Sequence, residues 1–193
     1  MGTPREWEKV GGLSEIYRKF GRTVEEQFFI NPASGGVELY VFIGQKDWSI
    51  VLAVNEDRNV LVNREFYQGA NQIITGLCAG TGSLTKIADD ENAEAVAIRE
   101  LREETGYEAM RIIPLGHSFM ACRSSRTRAH HFLALDCKKV TEQNTDPGEN
   151  IEVQEVPLAE WVRWCTDGTI VEWSAVVTTM RALPHLGATI ELK

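Results

Sequence analysis

The chain is short of the residues that would commit it to several common classes. Its four cysteines, Cys78, Cys122, Cys137 and Cys165, lie far apart and include no CxxC pair. That excludes the usual signatures of a zinc site and a disulfide framework, and reduced core thiols are expected. No run approaches the roughly 20 apolar residues that a membrane-spanning helix needs, and the opening MGTPREWEKV carries no apolar signal core. A cytoplasmic location with no membrane partner is expected. Basic residues are outnumbered, with 20 Lys plus Arg against 28 Asp plus Glu and a formal charge of -8, so a broad nucleic-acid-binding surface is excluded. Neither GxGxxG nor GxxxxGK[ST] occurs, which argues against a doubly wound sheet with a glycine-rich phosphate cradle. Internal repeats and low-complexity tracts are also missing.

What remains is an ordinary globular composition, 43% hydrophobic and 25% charged over 193 residues, enough for one domain with a real core and a small extension. Runs rich in β-branched and aromatic residues come first: EEQFFI, VELYVFI, WSIVLAV and NVLVNREFY, separated by turn-forming NPASGG and NEDRN. Residues 1–45 read as an N-terminal β extension and residues 46–193 as the main domain. IITGLCAG (73–80) reads as one buried strand and TGSLTKIADD (81–90) as a loop. RIIPLGHSFMA, AHHFLALDC and IEVQEV are further strands, and PLAEWVRWCTDG and EWSAVVTTMRAL are helices. This order predicts an α+β fold with a mixed β-sheet sandwiched between helices, an α/β/α arrangement.

The mid-chain helix carries the chemistry. Over residues 91–107, ENAEAVAIRELREETGY, the apolar residues Ala93, Ala95, Ala97, Ile98 and Leu101 recur at helical spacing. Asp89 or Asp90 can cap its start, and Gly106 ends it. Glu100, Glu103 and Glu104 stand at i, i+3 and i+4, so their carboxylates share one face. Mutual repulsion makes this a poor way to stabilise a helix. It suits a hard divalent cation with oxygen ligands, Mg2+ or Mn2+. Arg99 can hold a carboxylate of this group, and Glu91 near the helix start is a candidate partner. The plainer alternative is a solvated charged face.

Glu91, seven intervening residues, then Arg99-Glu100-Leu101-Arg102-Glu103-Glu104-Thr105-Gly106-Tyr107 resembles the Nudix box, E-x7-R-E-U-x-E-E-x-G-U with U apolar. The likeness extends more loosely to the ADP-ribose pyrophosphatase branch of that family, through NREFYQG before LCAG and through IEVQEVPLAEWVRWCTDGTI. The resemblance implies the Nudix fold. It implies a backbone carbonyl of Ala79 and the carboxylates of Glu100 and Glu104 as principal metal ligands, with Glu103 completing the cluster as ligand and catalytic residue. Glu91, Arg99 and Gly106 would be structural. Arg64 aligns with a phosphate-contacting arginine. The acidic loop with Asp146, Glu149 and Glu152 takes the place of the branch's catalytic glutamate, Glu149 being the preferred general base.

The pattern departs from the family in three places. The box should begin with a glycine five residues before its first glutamate, but position 85 is Thr and the matching glycine is Gly80, which implies a five-residue insertion. Thr75 stands where the branch carries a glutamate. Arg123, Arg126 and Arg128 replace an apolar loop, and Arg123 and Arg126 are candidate phosphate or carboxylate clamps. His117, His130 and His131 have no metal-binding spacing and read as strand residues. Among the aromatics, Trp7, Tyr40 and Phe66 are assigned to the core and Trp48 to stacking on a nucleobase. Together these features imply a metal-dependent hydrolase of a small nucleoside-diphosphate sugar, ADP-ribose favoured, giving AMP and ribose 5-phosphate. The alternatives are another nucleotide sugar such as a GDP-hexose, and a non-catalytic nucleotide-metabolite sensor. A homodimer paired through the N-terminal strands is expected by the same resemblance.

Overall fold

Residues 3–82 and 92–187 are described by the computed structural model, and the alternating and helical patterns in them produce eleven strands and three α-helices. Glu91 and nearly all of TGSLTKIADD lie outside the described residues. Contacts divide the chain into two units, Met1–Asp47 with Phe119–Arg128, and Trp48–Ser118 with Ala129–Lys193.

In the first unit, strands β1 (Glu8–Lys19), β2 (Arg22–Ile30) and β3 (Val37–Gly44) form an antiparallel sheet in the order β1-β2-β3. The NPASGG turn closes because the Asn31 side chain accepts from the amide of Ala33 at 2.8 Å and Gly35 takes a positive φ of 71°. Sequence alternation does not reveal β1. Its pairing with β2 slips between Val10 and Ser14, around Gly11 with φ 71°, and such a bulge destroys the period of two. Val37, Leu39, Val41 and Ile43 alternate along β3 on one face and are all exposed, as are Phe28 and Val10 in register beside Leu39. On the other face Trp7, Tyr40, Phe29 and Phe42 pack edge to face.

The second unit is built on a mixed sheet. Its strands are β4 (Trp48–Asn55), β5 (Asn59–Tyr67), β6 (Gln72–Gly76), β7 (Cys78–Thr81), β8 (Tyr107–Glu108), β9 (Arg111–Phe119), β10 (Arg128–Lys139) and β11 (Glu152–Pro157). The order is β11-β5-β4-β10-β8, with β10 parallel to β4. The run read as one strand from Ile73 breaks at Leu77 into β6 and β7. The reason is a fork: β4 pairs with β5 only at Ala53 and Val54, after which the two strands part, β7 following β4 and β6 following β5.

Helix α1 (Ala93–Thr105) covers one side of this sheet, where Leu101 and Ala97 pack with Val51, Ala53, Leu61 and Phe132. Helices α2 (Leu158–Asp167) and α3 (Trp173–Ala182) cover the other, around Trp161, Leu52, Val60, Val62 and Leu133. This is the expected α/β/α layering. Three cysteines are buried free thiols, but Cys122 is exposed, so only part of the set belongs to the core. His131 is fully buried between Ser118 and Thr178, each 2.7 Å from a ring nitrogen. No described helix is long and apolar enough to cross a membrane.

Two helix details differ from the sequence reading. The N-cap of α1 is Asn92, whose side chain accepts from the Ala95 amide at 2.8 Å, not an aspartate before it. Pro157 is the N-cap residue of α2 rather than its first helical residue. At the other end of α1, Gly106 has φ 76° and returns its N–H to the Arg102 carbonyl. A Cβ there would stand 2.2 Å from the backbone oxygen of Thr141. Gly106→Ala is therefore expected to cost more than about 1 kcal/mol, lowering the thermal midpoint by at least about 2–4 °C in a calorimetric scan.

Candidate functional site

The fork in the sheet and the inward stripe of α1 meet at three glutamates. Reading apolar residues as inward gives the wrong stripe in part: Ala95 and Ile98 are exposed, and the buried residues are Val96, Ala97, Glu100, Leu101, Glu104 and Thr105. Two carboxylates thus occupy core positions, Glu100 9% and Glu104 5% exposed. Burying unpaired carboxylates is costly, so the surroundings must compensate.

Glu104 reaches into the fork. Its Oε2 accepts from Asn63 Nδ2 at 2.7 Å on the β5 side and from the Ala79 amide at 3.2 Å on the β7 side. The N–H and C=O of one strand residue leave along the same edge, so the Ala79 carbonyl opens toward this side as well. Glu100 lies against Gly80, where a Cβ would fall 2.0 Å from its carboxyl carbon. Only glycine permits that approach. Arg99 braces the group, donating to Glu103 at 2.7 Å and to the Thr81 carbonyl at 3.0 Å, and standing 2.9 Å from Glu100 Oε1. Glu91, the partner expected for Arg99, lies outside the described residues.

Burial pushes Glu104 up to about 8 and Glu100 up to about 7, the second opposed by Arg99 and both aided by Glu149. Unfolded carboxyls ionise near 4.5, so between that value and 8 the unfolded state is the one that gives up protons. Stability then falls as pH rises through this window. The buried His131, held down to about 4 by desolvation, has the opposite sign but its effect is complete above about 6.5. Metal-free protein is therefore expected to unfold at a lower temperature at pH 8 than at pH 6.5, and added Mg2+ should recover more stability at pH 8. Equal midpoints at the two pH values would reject the assignment.

The loop after β10 closes the site. Amides of Val140 and Thr141 donate to the Gly106 carbonyl, that of Asn144 to Glu103 O at 2.8 Å, and Gln143 Nε2 to Glu104 O at 2.6 Å. Glu149 on this loop accepts from the Asp146 amide at 3.0 Å, and its charge raises Glu65 as well as Glu100 and Glu104, behind desolvation in each case. Asn63 and Glu65 escaped the sequence reading. Their signal was there: 61, 63 and 65 alternate inward on β5, so polar residues at two of these positions should have marked a site.

The sequence also nominates Arg64, Trp48, Arg123 and Arg126 as substrate contacts. Arg64 and Trp48 belong to the opposite sheet face by alternation, since Val60, Val62, Ile50 and Leu52 pack toward α2 and α3. Arg64 pairs across strands with Glu152 at 2.7 Å. Trp48 is half-buried edge to face with Trp173, and its indole N–H has no partner among the described residues. Arg123 and Arg126 sit in the first unit, Arg126 paired with Glu25 and stacked over Phe42.

Among the described residues no three His, Cys, Asp or Glu side chains surround one point ready for a metal, because Arg99 draws Glu100 and Glu103 while Glu104 turns to Asn63. The donor set is nonetheless hard oxygen throughout, with a buried Asn63 Oδ1 lacking a partner and open backbone beside Gly80. That chemistry fits Mg2+ or Mn2+.

Comparisons with known proteins bear on the family. The NUDIX domain model matches residues 45–175. The ADP-ribose pyrophosphatase of Bacillus subtilis (strain 168) is 30% identical over 111 residues, 57% of each chain. The GDP-mannose pyrophosphatase of Klebsiella pneumoniae subsp. pneumoniae is 31% identical over 102 residues, 52% of this chain and 48% of that protein. The chain therefore spans about half the length of the curated relatives it matches. A solved structure described as an ADP compounds hydrolase superposes with a TM-score of 0.78 over 97% of both chains at 20% identity, a likeness of fold.

Proposed function

The chain belongs to the Nudix family, and from that premise we propose that it is a metal-dependent pyrophosphohydrolase of nucleoside-diphosphate sugars, with ADP-ribose the favoured substrate. One observation carries the reading: two glutamates of α1 are buried at core positions against Gly80 and the fork, an expense that a solvated charged face would not incur. Glu100, Glu103, Glu104 and the Ala79 carbonyl would hold Mg2+ or Mn2+. When bound, such a cation polarises phosphoryl oxygens and lowers the pKa of a water molecule.

The residues of the chain divide the remaining work. Arg99 fixes the carboxylates of Glu100 and Glu103. Asn63 and the Ala79 amide orient Glu104. Glu149 takes the proton of the attacking water as its oxygen bonds to one phosphorus and the bridging P–O bond breaks. With ADP-ribose the products are AMP and ribose 5-phosphate. Arg64 enters this scheme as the phosphate contact that the resemblance implies, through guanidinium nitrogens other than the one that meets Glu152, and Trp48, Arg123 and Arg126 are substrate contacts on residue type alone.

The exposed apolar face of β3, with Phe28 and Val10, supports the further reading that residues 1–45 form a dimerisation element, and a cytoplasmic setting belongs to the same proposal. Light scattering would report a single-chain mass if the dimer reading is wrong. A second substrate reading, a GDP-hexose, rests on the GDP-mannose pyrophosphatase relative. The test is a panel of ADP-ribose, GDP-mannose, dinucleotides and nucleoside triphosphates with Mg2+ or Mn2+, products being resolved by chromatography. We expect ADP-ribose to be cleaved with the highest kcat/KM. Tight binding without turnover across the panel would overturn the enzyme in favour of a sensor.

A further inference from the structure

Asn63 ends the apolar run of β5, 7% exposed, with Val62 and Leu61 before it in the core. A buried amide in a strand needs all its hydrogen-bonding capacity met, or each unmet group costs about 1–3 kcal/mol. Only half of it is. Nδ2 donates to Glu104 at 2.7 Å, while Oδ1 is one of two buried side-chain polar atoms without a partner among the described residues. Nδ2 facing Glu104 is the amide orientation required once Glu104 is ionised, as a bound cation would keep it, because a carboxylate can only accept. That leaves Oδ1, an unused acceptor on the same planar amide, at the border of the carboxylate cluster.

The position in the fold explains why this residue and not another meets Glu104. Where β5 parts from β4, Asn63 is paired with Gly76 of β6 on one side and with Val153 of β11 on the other, so on the β6 side no side chain crowds the amide. Ala79, on the other prong, offers Glu104 only a backbone N–H at 3.2 Å. The shorter, side-chain bond from Asn63 is the one that sequence variation could remove.

We propose that Asn63 is the positioning residue of the cation site: through Nδ2 it fixes the rotamer of Glu104, and through Oδ1 it accepts from the hydration shell of the bound divalent cation. This rests on the reading of Glu104 as a metal carboxylate. Mg2+ and Mn2+ keep several waters when bound, and a lone acceptor beside the ligands is what those waters require. Partners in this outer position typically contribute about 10–100-fold to metal affinity.

The test measures Mn2+ binding by electron paramagnetic resonance of the free ion, without substrate, on the full chain. Asn63→Ala is expected to weaken Mn2+ about 10–100-fold, and Asn63→Val, a strand former of similar volume, should show the same loss if the alanine variant does not fold. In a Glu104→Gln background the same substitution should cost less than it does in the parent, because the part of its effect that runs through Nδ2 goes with the carboxylate it positions and only the Oδ1 part remains. Wild-type Mn2+ affinity in Asn63→Ala or Asn63→Val overturns the proposal, as does an equal loss in both backgrounds. If Glu104→Gln alone leaves Mn2+ affinity unchanged, the failure lies in the metal assignment instead, and the proposal falls with it.

Discussion

Glu104→Gln abolishes hydrolysis while leaving the fold intact: that is the largest effect expected of any single substitution in this chain. The amide keeps the shape of the side chain and an oxygen able to accept from Asn63 and the Ala79 amide, so the core around α1 has no reason to collapse. What it removes is the negative charge. Loss of a carboxylate proposed to bind the cation directly should exceed the roughly 100-fold effect of losing an outer partner. Because burial pushes Glu104 up to about 8, ionising it in metal-free protein is unfavourable, and the glutamine variant should be at least as stable as the parent near pH 8. The measurement pairs kcat/KM on ADP-ribose with a thermal scan. Wild-type turnover in this variant would reject the metal assignment, and an unfolded variant would move Glu104 from chemistry to structure.

The second large effect is at a residue with no side chain. Gly80→Ala introduces a Cβ that would lie 2.0 Å from the Glu100 carboxyl carbon and 2.1 Å from one of its oxygens. A collision with backbone would break the fold, but the obstacle here is the end of a three-bond side chain, which can swing aside. Glu100 is therefore expected to leave its place against β7, with its contact to Arg99, and activity should fall at least about 100-fold while the thermal midpoint moves by only a few degrees. Affinity for Mn2+ should fall in parallel. Full activity in Gly80→Ala would mean that Glu100 does not act from the position it occupies beside β7.

How much of this was legible in the sequence depends on the range of the interaction that decides each feature. The spacing of Glu100, Glu103 and Glu104 is local, so the helix and its shared carboxylate face could be read directly, and α/β/α layering followed from the order of strand and helix patterns. The fork between β4 and β5 could not, because it depends on which strands pair, and Gly76 beside the break at Leu77 does not by itself say which strands part. The carboxylates themselves misdirected the burial pattern of α1. An apolar-in rule places Ile98 inside and Glu104 outside, and the structure has the reverse. For Arg64 and Trp48, residue type and likeness say nothing of which sheet face each occupies, whereas alternation along β5 and β4 does.

The loop that follows β10 is hydrogen-bonded to the end of α1 at Glu103, Glu104 and Gly106, and this has a mechanical meaning. Four bonds over five residues make the loop's first half an extra turn welded to the helix, so any proton acceptor carried beyond it inherits the helix's position. Thermal drift of the rest of the sheet would move both together, and their separation would stay constant. Changes to the outer half of that loop, from Thr145 to Asn150, would then shift Glu149 alone and leave the carboxylates behind it in place.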